Sequence, residues 1–118
     1  MNMTNVYSSN IKGVFLIMGL LGSFAFPSLV SAANYEIIIE NHRFIPSELE
    51  ISADEKHRLI VINKDATPEE FESYELNREK IVAGHSRITV FLSPLDAGTY
   101  PFFGEFNAET AQGRLIVK

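Results

Sequence analysis

Five glutamates in two short stretches are the most chemically capable side chains of this sequence: Glu69, Glu70 and Glu72 in NKDATPEEFES (63–73), and Glu105 and Glu109 in FFGEFNAETAQG (102–113). His42, two residues before Phe44, adds one imidazole. Carboxylates supplied by separate segments repel one another unless a cation, a lysine or an arginine lies between them. Oxygen donors with at most one imidazole suit Cu(II), Fe(II), Fe(III), Mn or Ca better than Cu(I). The residues therefore point to a metal site on Glu70 and Glu105, with Glu72 and His42 beside them and Glu69 and Glu109 behind. The plain alternative is a solvated acidic loop balanced by Lys64, Arg43 or Arg78.

Other chemistries find no foothold. Ser52, Ser73, Ser86 and Ser93 have no histidine and acid at a recognisable catalytic spacing, and no glycine-rich phosphate loop occurs, so catalysis by the chain's own side chains is not expected. His57 opens a strand-like run and His85 lies in a turn, and both are expected to face solvent. Phe71, Phe102, Phe103, Phe106, Tyr74 and Tyr100 fall near the glutamates, where core and rim packing is favoured over an electron path or a docking patch. Asn63 and Asp65 are suited to tying loop backbone together as local acceptors.

A folded domain must hold those loops in place, and its bounds are readable. The first 32 residues carry one basic residue, Lys12, an apolar stretch GVFLIMGLLGSFAFPSLV, and small residues at the end. That pattern is a secretory signal peptide with cleavage after Ala32, or alternatively after Ala33. The alternative is a retained membrane anchor, since an apolar stretch of about 18 residues nearly spans a bilayer. Residues 33–118 then form one domain, with no room for a second core. The whole chain has a net charge of −5, and loss of Lys12 makes the remainder more negative still. Nucleic acid and anionic membrane surfaces are poor partners for it, whereas cations or basic proteins fit. There is no cysteine, hence neither disulfides nor thiolate ligands.

Within 33–118, β-rich runs alternate with turn signals about every ten residues, the signature of an all-β sandwich or barrel. The runs are 35–40, 44–51, 57–63, 79–82, 86–92, 99–103 and 113–118. LIVI at 59–62 is apolar on both faces and is expected mid-sandwich. The apolar parity of 44–51 slips at Pro46, which a bulge or edge kink would explain. Following the chain reversals brings three segments to one end: Asn41–Arg43, the loop 64–72, and Gly104–Gln112.

These features resemble a cupredoxin, the small Greek-key sandwich that carries copper at one end. FIPSELEI, LIVINKD and GTYPFFG…GRLIV carry the likeness over essentially the whole of residues 33–118. In copper-loaded members the first loop ends in histidine; the second reads cysteine, two residues, histidine, then methionine before a glycine that opens the last strand. That spacing puts Glu70 (or Glu69) at the first histidine, Gly104 at the cysteine, Asn107 at the second histidine and Ala111 at the methionine. Without a thiolate, a blue copper centre is excluded. NKDATPEEFES, NREKIVAG (77–84) and YPFFGEFNAETAQG (100–113) further resemble the cupredoxin-like domain of EfeO-type iron-uptake proteins. The resemblance implies a periplasmic accessory protein holding copper or iron at Glu70, Glu105, Glu72, His42 and Asn107. It also implies partnership with an inner-membrane iron permease or another periplasmic iron-uptake component. A metal-free interaction module presenting an acidic and aromatic face stands as the alternative function.

Overall fold

A computed structural model describes residues 33–118; the expected signal peptide, residues 1–32, lies outside the described residues. Nine strands form two sheets. The first contains β2 (Arg43–Ile45), β1 (Ala33–Glu40), β4 (His57–Asn63) and β7 (Arg87–Leu92), in that order. The second contains β3 (Glu48–Ile51), β9 (Gln112–Val117), β8 (Gly98–Gly104), β5 (Glu69–Ser73) and β6 (Arg78–Val82). The pairs β1/β4 and β3/β9 are parallel and the others antiparallel. This is the two-sheet, all-β architecture that the turn spacing predicts.

Alternation along each strand explains the core. Ile37, Ile39, Leu59 and Val61 of the first sheet point inward against Phe71, Val82, Phe102 and Leu115 of the second, and all eight are buried. Phe44 stands edge-on to Phe102, with ring centroids 5.0 Å apart, and Phe71 lies 5.1 Å from Phe102. Large apolar burial of this kind is the main favourable term in a domain without disulfides.

Two sequence expectations are corrected by the sheets. The run 44–51 is not one kinked strand: the chain leaves the first sheet after Ile45 and enters the second at Glu48, with a cis Ile45–Pro46 peptide between. The parity slip at Pro46 was therefore a change of sheet, after which a different set of residues faces the core. The second half of the expected loop 64–72 is strand β5, whose Glu69, Phe71 and Ser73 face inward. Its acidic composition hid it, because an inward glutamate contradicts the usual alternation.

His57, expected at the surface, is buried. Its ring packs edge-on against Tyr35 at 5.3 Å, and its Nε2 bonds the Ser52 carbonyl at 2.9 Å. Strand β4 is central in its sheet as LIVI suggests, yet only Leu59 and Val61 enter the core, while Ile60 and Ile62 lie on the outer face, partly exposed. At the open seam between the sheets, Arg78 Nε donates to the Phe91 carbonyl (3.1 Å) and Lys80 Nζ to the Thr89 carbonyl (3.3 Å). These long side chains satisfy edge carbonyls that no strand pairs.

Replacing Phe102 by alanine opens a cavity under both sheets, and a loss of about 3–5 kcal/mol in urea-unfolding stability is expected. Ile81→Ala, at an exposed position, should cost less than about 1 kcal/mol in the same measurement.

Candidate metal centre

The three loop segments do converge, and local polar groups hold them. Asn41 and His42 turn the chain with positive φ. Their backbone N–H groups donate to the Asp65 carboxylate at 2.8 and 3.0 Å. The His42 N–H bond is the chief reason the Asp65 carboxyl titrates below its ordinary range. Asn63, buried, donates to the carbonyls of Thr67, Val82 and Ala83 and accepts from the Asp65 N–H. The third segment is fastened by the Thr110 hydroxyl, which donates to the His42 carbonyl at 2.6 Å. Both residues thus tie loop backbone, Asp65 as the expected acceptor and Asn63 chiefly as a donor.

At the end of the sandwich, the four positions that spacing assigns to copper ligands touch one another. Gly104 donates its N–H to the Ala111 carbonyl at 2.9 Å. A Cβ at Gly104 would stand 2.6 Å from Glu69 Cδ and 2.7 Å from Ala111 Cβ. Glu69, 1% exposed, fills the space. Its Oε1 accepts from the backbone N–H of Phe106 (2.9 Å) and Glu70 (3.0 Å), and its Oε2 from Asn107 Nδ2 (2.8 Å). Three donors make burial of the charged carboxylate tolerable. A thiolate-held copper does not fit here: position 104 lacks the donor, and the carboxylate occupies the volume a side chain would need.

Three of the residues singled out in the sequence lie apart from the other carboxylates. Glu69, ranked behind its neighbours in sequence, is the residue at the first-ligand place. Asn107 is spent on Glu69 and not offered outward. His42 leans on Asp65, with Nδ1 3.6 Å from Oδ2, and does not belong to the carboxylate group described next.

The same strand that sends Glu69 inward sends Glu70 and Glu72 to the opposite face. Pairing of β5 with β6 sets Glu72 directly across from Glu79 and Glu70 across from Ile81; pairing with β8 sets Phe103 on the other side of Glu72. One carboxylate oxygen each from Glu70, Glu72 and Glu79 lies within 4.8 Å of the others. Like charges directly opposite in a sheet are unfavourable. Nothing among the described residues neutralises these: the four ion pairs join His42–Asp65, His57–Glu55, Arg114–Glu48 and Lys118–Glu50, and Arg78 and Lys80 turn to β7. The alternative reading, balance by Lys64, Arg43 or Arg78, finds no such ion pair among the described residues.

Glu72 is the centre of this group. It is 8% exposed, and its Oε2 is buried with no donor in reach. The Glu105 carboxyl beside it, then burial, then the negative charges of Glu105, Glu79 and Glu70 push its pKa up to about 7. Glu70 is also raised, first by burial and then by Glu105 and Glu79. The field reaches Tyr74, whose phenol is raised chiefly by the Glu72 charge. Each observation describes one condition: carboxylates that need either a proton or a cation between them. Oxygens on opposite sides of a calcium-sized ion are about 4.6–5.2 Å apart, so the spacing of the group suits a bound cation.

Glu70, Glu72 and Glu105 are therefore brought together as the sequence suggests. Glu79 was missed, since only the β5/β6 register places it opposite Glu72. The aromatic residues divide: Phe71 and Phe102 are core, Tyr74 and Phe103 form an outer pair 5.5 Å apart beside Glu72, and Tyr100 is tied to the Asp96 carbonyl.

The family model of the cupredoxin-like domain matches residues 13–117. An uncharacterized protein of Rickettsia prowazekii (strain Madrid E) is 49% identical over 82 residues, covering 70% of this chain; the match spans 66%, just under two thirds, of that relative. Among solved structures, auracyanin A, a "blue" copper protein of Chloroflexus aurantiacus, superposes with a TM-score of 0.65 at 16% identity, covering 75% of this chain and all of its own. The metal-binding domain of the Cu(I)-exporting ATPase CopA of Streptococcus pneumoniae gives 0.64 at 13%, covering 77% and 91%. A purple cupredoxin of Nitrosopumilus maritimus gives 0.56 at 19%, covering 75% and 100%. At such identities these structures establish the fold.

Removing the Glu69 carboxylate leaves three donors without an acceptor, so Glu69→Ala should lower unfolding stability by on the order of 2–4 kcal/mol. Gly104→Ala should also destabilise, by collision with Glu69. In the Glu69→Ala background the same Gly104→Ala change should cost less, a coupling that a double-mutant cycle in urea would measure.

Proposed function

The chain belongs to the cupredoxin-like domain family, and on that premise we propose that it is an exported accessory protein that binds a metal cation, copper or iron, through carboxylate oxygen. Its role is to hand the cation on, or to assist its oxidation, in support of ferrous-iron uptake beside a permease. One observation carries the metal-binding reading: the buried, donorless Oε2 of Glu72 within the group Glu70, Glu72 and Glu79. Three further features support it. Fold neighbours are described as copper proteins. The loop phrases around Glu70 and Glu105 resemble those of EfeO-type proteins. The apolar leader with small residues at its end fits export to the periplasm.

The cation in this reading is cargo. Glu72, Glu70 and Glu79 would hold it with Glu105 closing from the turn after β8, and all four present oxygen, which suits Cu(II), Fe(II) or Fe(III). The group lies on the outer face of its sheet, next to exposed Tyr74 and Ile81, where a partner can reach it. A second reading, a metal-free interaction module, draws on the Glu69 plug: the loops are held without any ion, leaving the acidic rim to meet a basic partner.

Calorimetric titration of the exported chain with Cu(II), Fe(II) and Fe(III) separates the two. Saturable binding is expected, weakened at least about tenfold by Glu72→Gln or Glu79→Gln and unchanged by Asn107→Ala. No saturable binding at pH 8 would leave the module as the better description.

The pH dependence has a definite sign. Glu72 has a higher pKa folded than unfolded, so its contribution to stability is present below about 4.5 and lost as pH rises through about 7. The metal-free protein should therefore lose thermal stability over that range, and cation affinity should rise over it, because binding requires the carboxylates deprotonated. Melting curves with and without the metal, taken from pH 4.5 to about 8, check both.

A further inference from the structure

The chain is acidic overall, with a net charge of −5, yet the charged residues lining one of its clefts are all basic: Lys56, Arg58 and Arg78. The cleft has a volume of about 270 Å³ and lies where the start of β4 meets the end of β7. Phe91 and Leu92 supply its apolar lining and Ser93 a hydroxyl. No acidic side chain lines it, and none of the four ion pairs among the described residues uses these three cations. Clustered positive charge in a concave site raises the local concentration of anions.

The cations come from three elements: Lys56 from the turn before β4, Arg58 from β4, and Arg78 from β6 across the seam. Arg78 pairs with the inward Ser73, so strand alternation turns it toward β7 and sends its neighbour Glu79 to the outer face. Three carbonyls then hold the guanidinium: Nε donates to Phe91 at 3.1 Å, and Nη1 to Leu76 at 3.2 Å and Asn77 at 2.9 Å. Its Nη2 has no acceptor among the described residues. A guanidinium already fixed in place, with a donor to spare, loses little freedom on meeting a carboxylate. Phe91 gathers the second arginine as well, since the Arg58 guanidinium rests 5.9 Å over its ring. That ring is 63% exposed, and a flat apolar group can lie against it or against the guanidinium plane.

We propose that this cleft binds a small aromatic carboxylate, with the carboxylate on Arg78 and Lys56 and the ring against Phe91, Leu92 and the Arg58 guanidinium. The volume corresponds to about nine waters at ~30 Å³ each, which suits a molecule of about ten non-hydrogen atoms. Both halves of such a ligand are needed: the cations select the charge, and the apolar lining favours a body that a bare inorganic anion lacks. The site stands independently of the carboxylate group, for Glu70, Glu72 and Glu79 do not line this cleft.

Titration of the isotope-labelled exported chain with benzoate, and separately with inorganic phosphate, tests the assignment through its backbone amide NMR shifts at constant ionic strength. Benzoate should give saturable shifts centred on residues 56–58, 78 and 91–93, with a dissociation constant of about 1 mM or tighter. Phosphate should bind at least about threefold more weakly, because it leaves the apolar lining uncovered. Lys56→Gln and Arg58→Gln should each weaken benzoate about threefold. Arg78→Lys, which keeps the charge and loses the fork, should weaken it about tenfold. Lys64→Gln removes the same charge outside the cleft and should change nothing; the spectra also show whether each variant is folded. Shifts that do not saturate or that scatter over the surface overturn the proposal. So does phosphate binding as tight as benzoate, or a loss in Lys64→Gln equal to that in Lys56→Gln and Arg58→Gln.

Discussion

The end of this sandwich depends on one buried carboxylate. Glu69 takes hydrogen bonds from two backbone N–H groups and the Asn107 amide, and in doing so joins β5 to the turn that follows β8. A charge excluded from water must find donors or leave the interior. Here the donors come from two segments distant in sequence, so satisfying the charge also fixes the loops. In the copper-loaded members that this chain resembles, side chains at these places meet on a metal ion. In this chain they meet on one another, and Gly104 is tolerated at the cysteine place because anything larger would strike Glu69.

The acidic group on the outer face is the counterpart of that plug. A strand exposes alternate residues, so fixing Glu69 inward forces Glu70 and Glu72 outward together. The β6 strand then brings Glu79 opposite Glu72. The sheet places like charges side by side and supplies no arginine or lysine between them, which a structure selected for stability alone would avoid. The uncompensated Glu72 oxygen is where that cost concentrates, and a bound cation or a shared proton is what relieves it.

The two sheets consequently have distinct characters. The five-stranded sheet carries carboxylates beside Tyr74, Phe103 and Ile81, while the four-stranded sheet carries isoleucines and Phe91 among exposed glutamates and arginines. Both faces depart from the polar surface expected of a small isolated sandwich. The departures lie on opposite sides of the domain.

Much of this was legible in the residues. Turn spacing and alternation showed an all-β sandwich, chain reversals brought the correct three segments together, and Glu70, Glu72 and Glu105 stood out as carboxylates that would lie close to one another. Where alternation met an exception, the reading failed. Glu69 and His57 are polar residues buried by specific hydrogen bonds, and a pattern of hydrophobicity cannot show which polar group will find partners. The change of sheet at Pro46 appeared only as a slip of parity.

The amino-acid sequence by itself determined which donors exist: no cysteine, no clustered histidine and many carboxylates. Only the tertiary structure decided which carboxylate is plug and which is rim, and that Glu79 joins the group. Those outcomes follow from strand parity and from a pairing register between β5 and β6, neither of which is written in the composition of either strand alone.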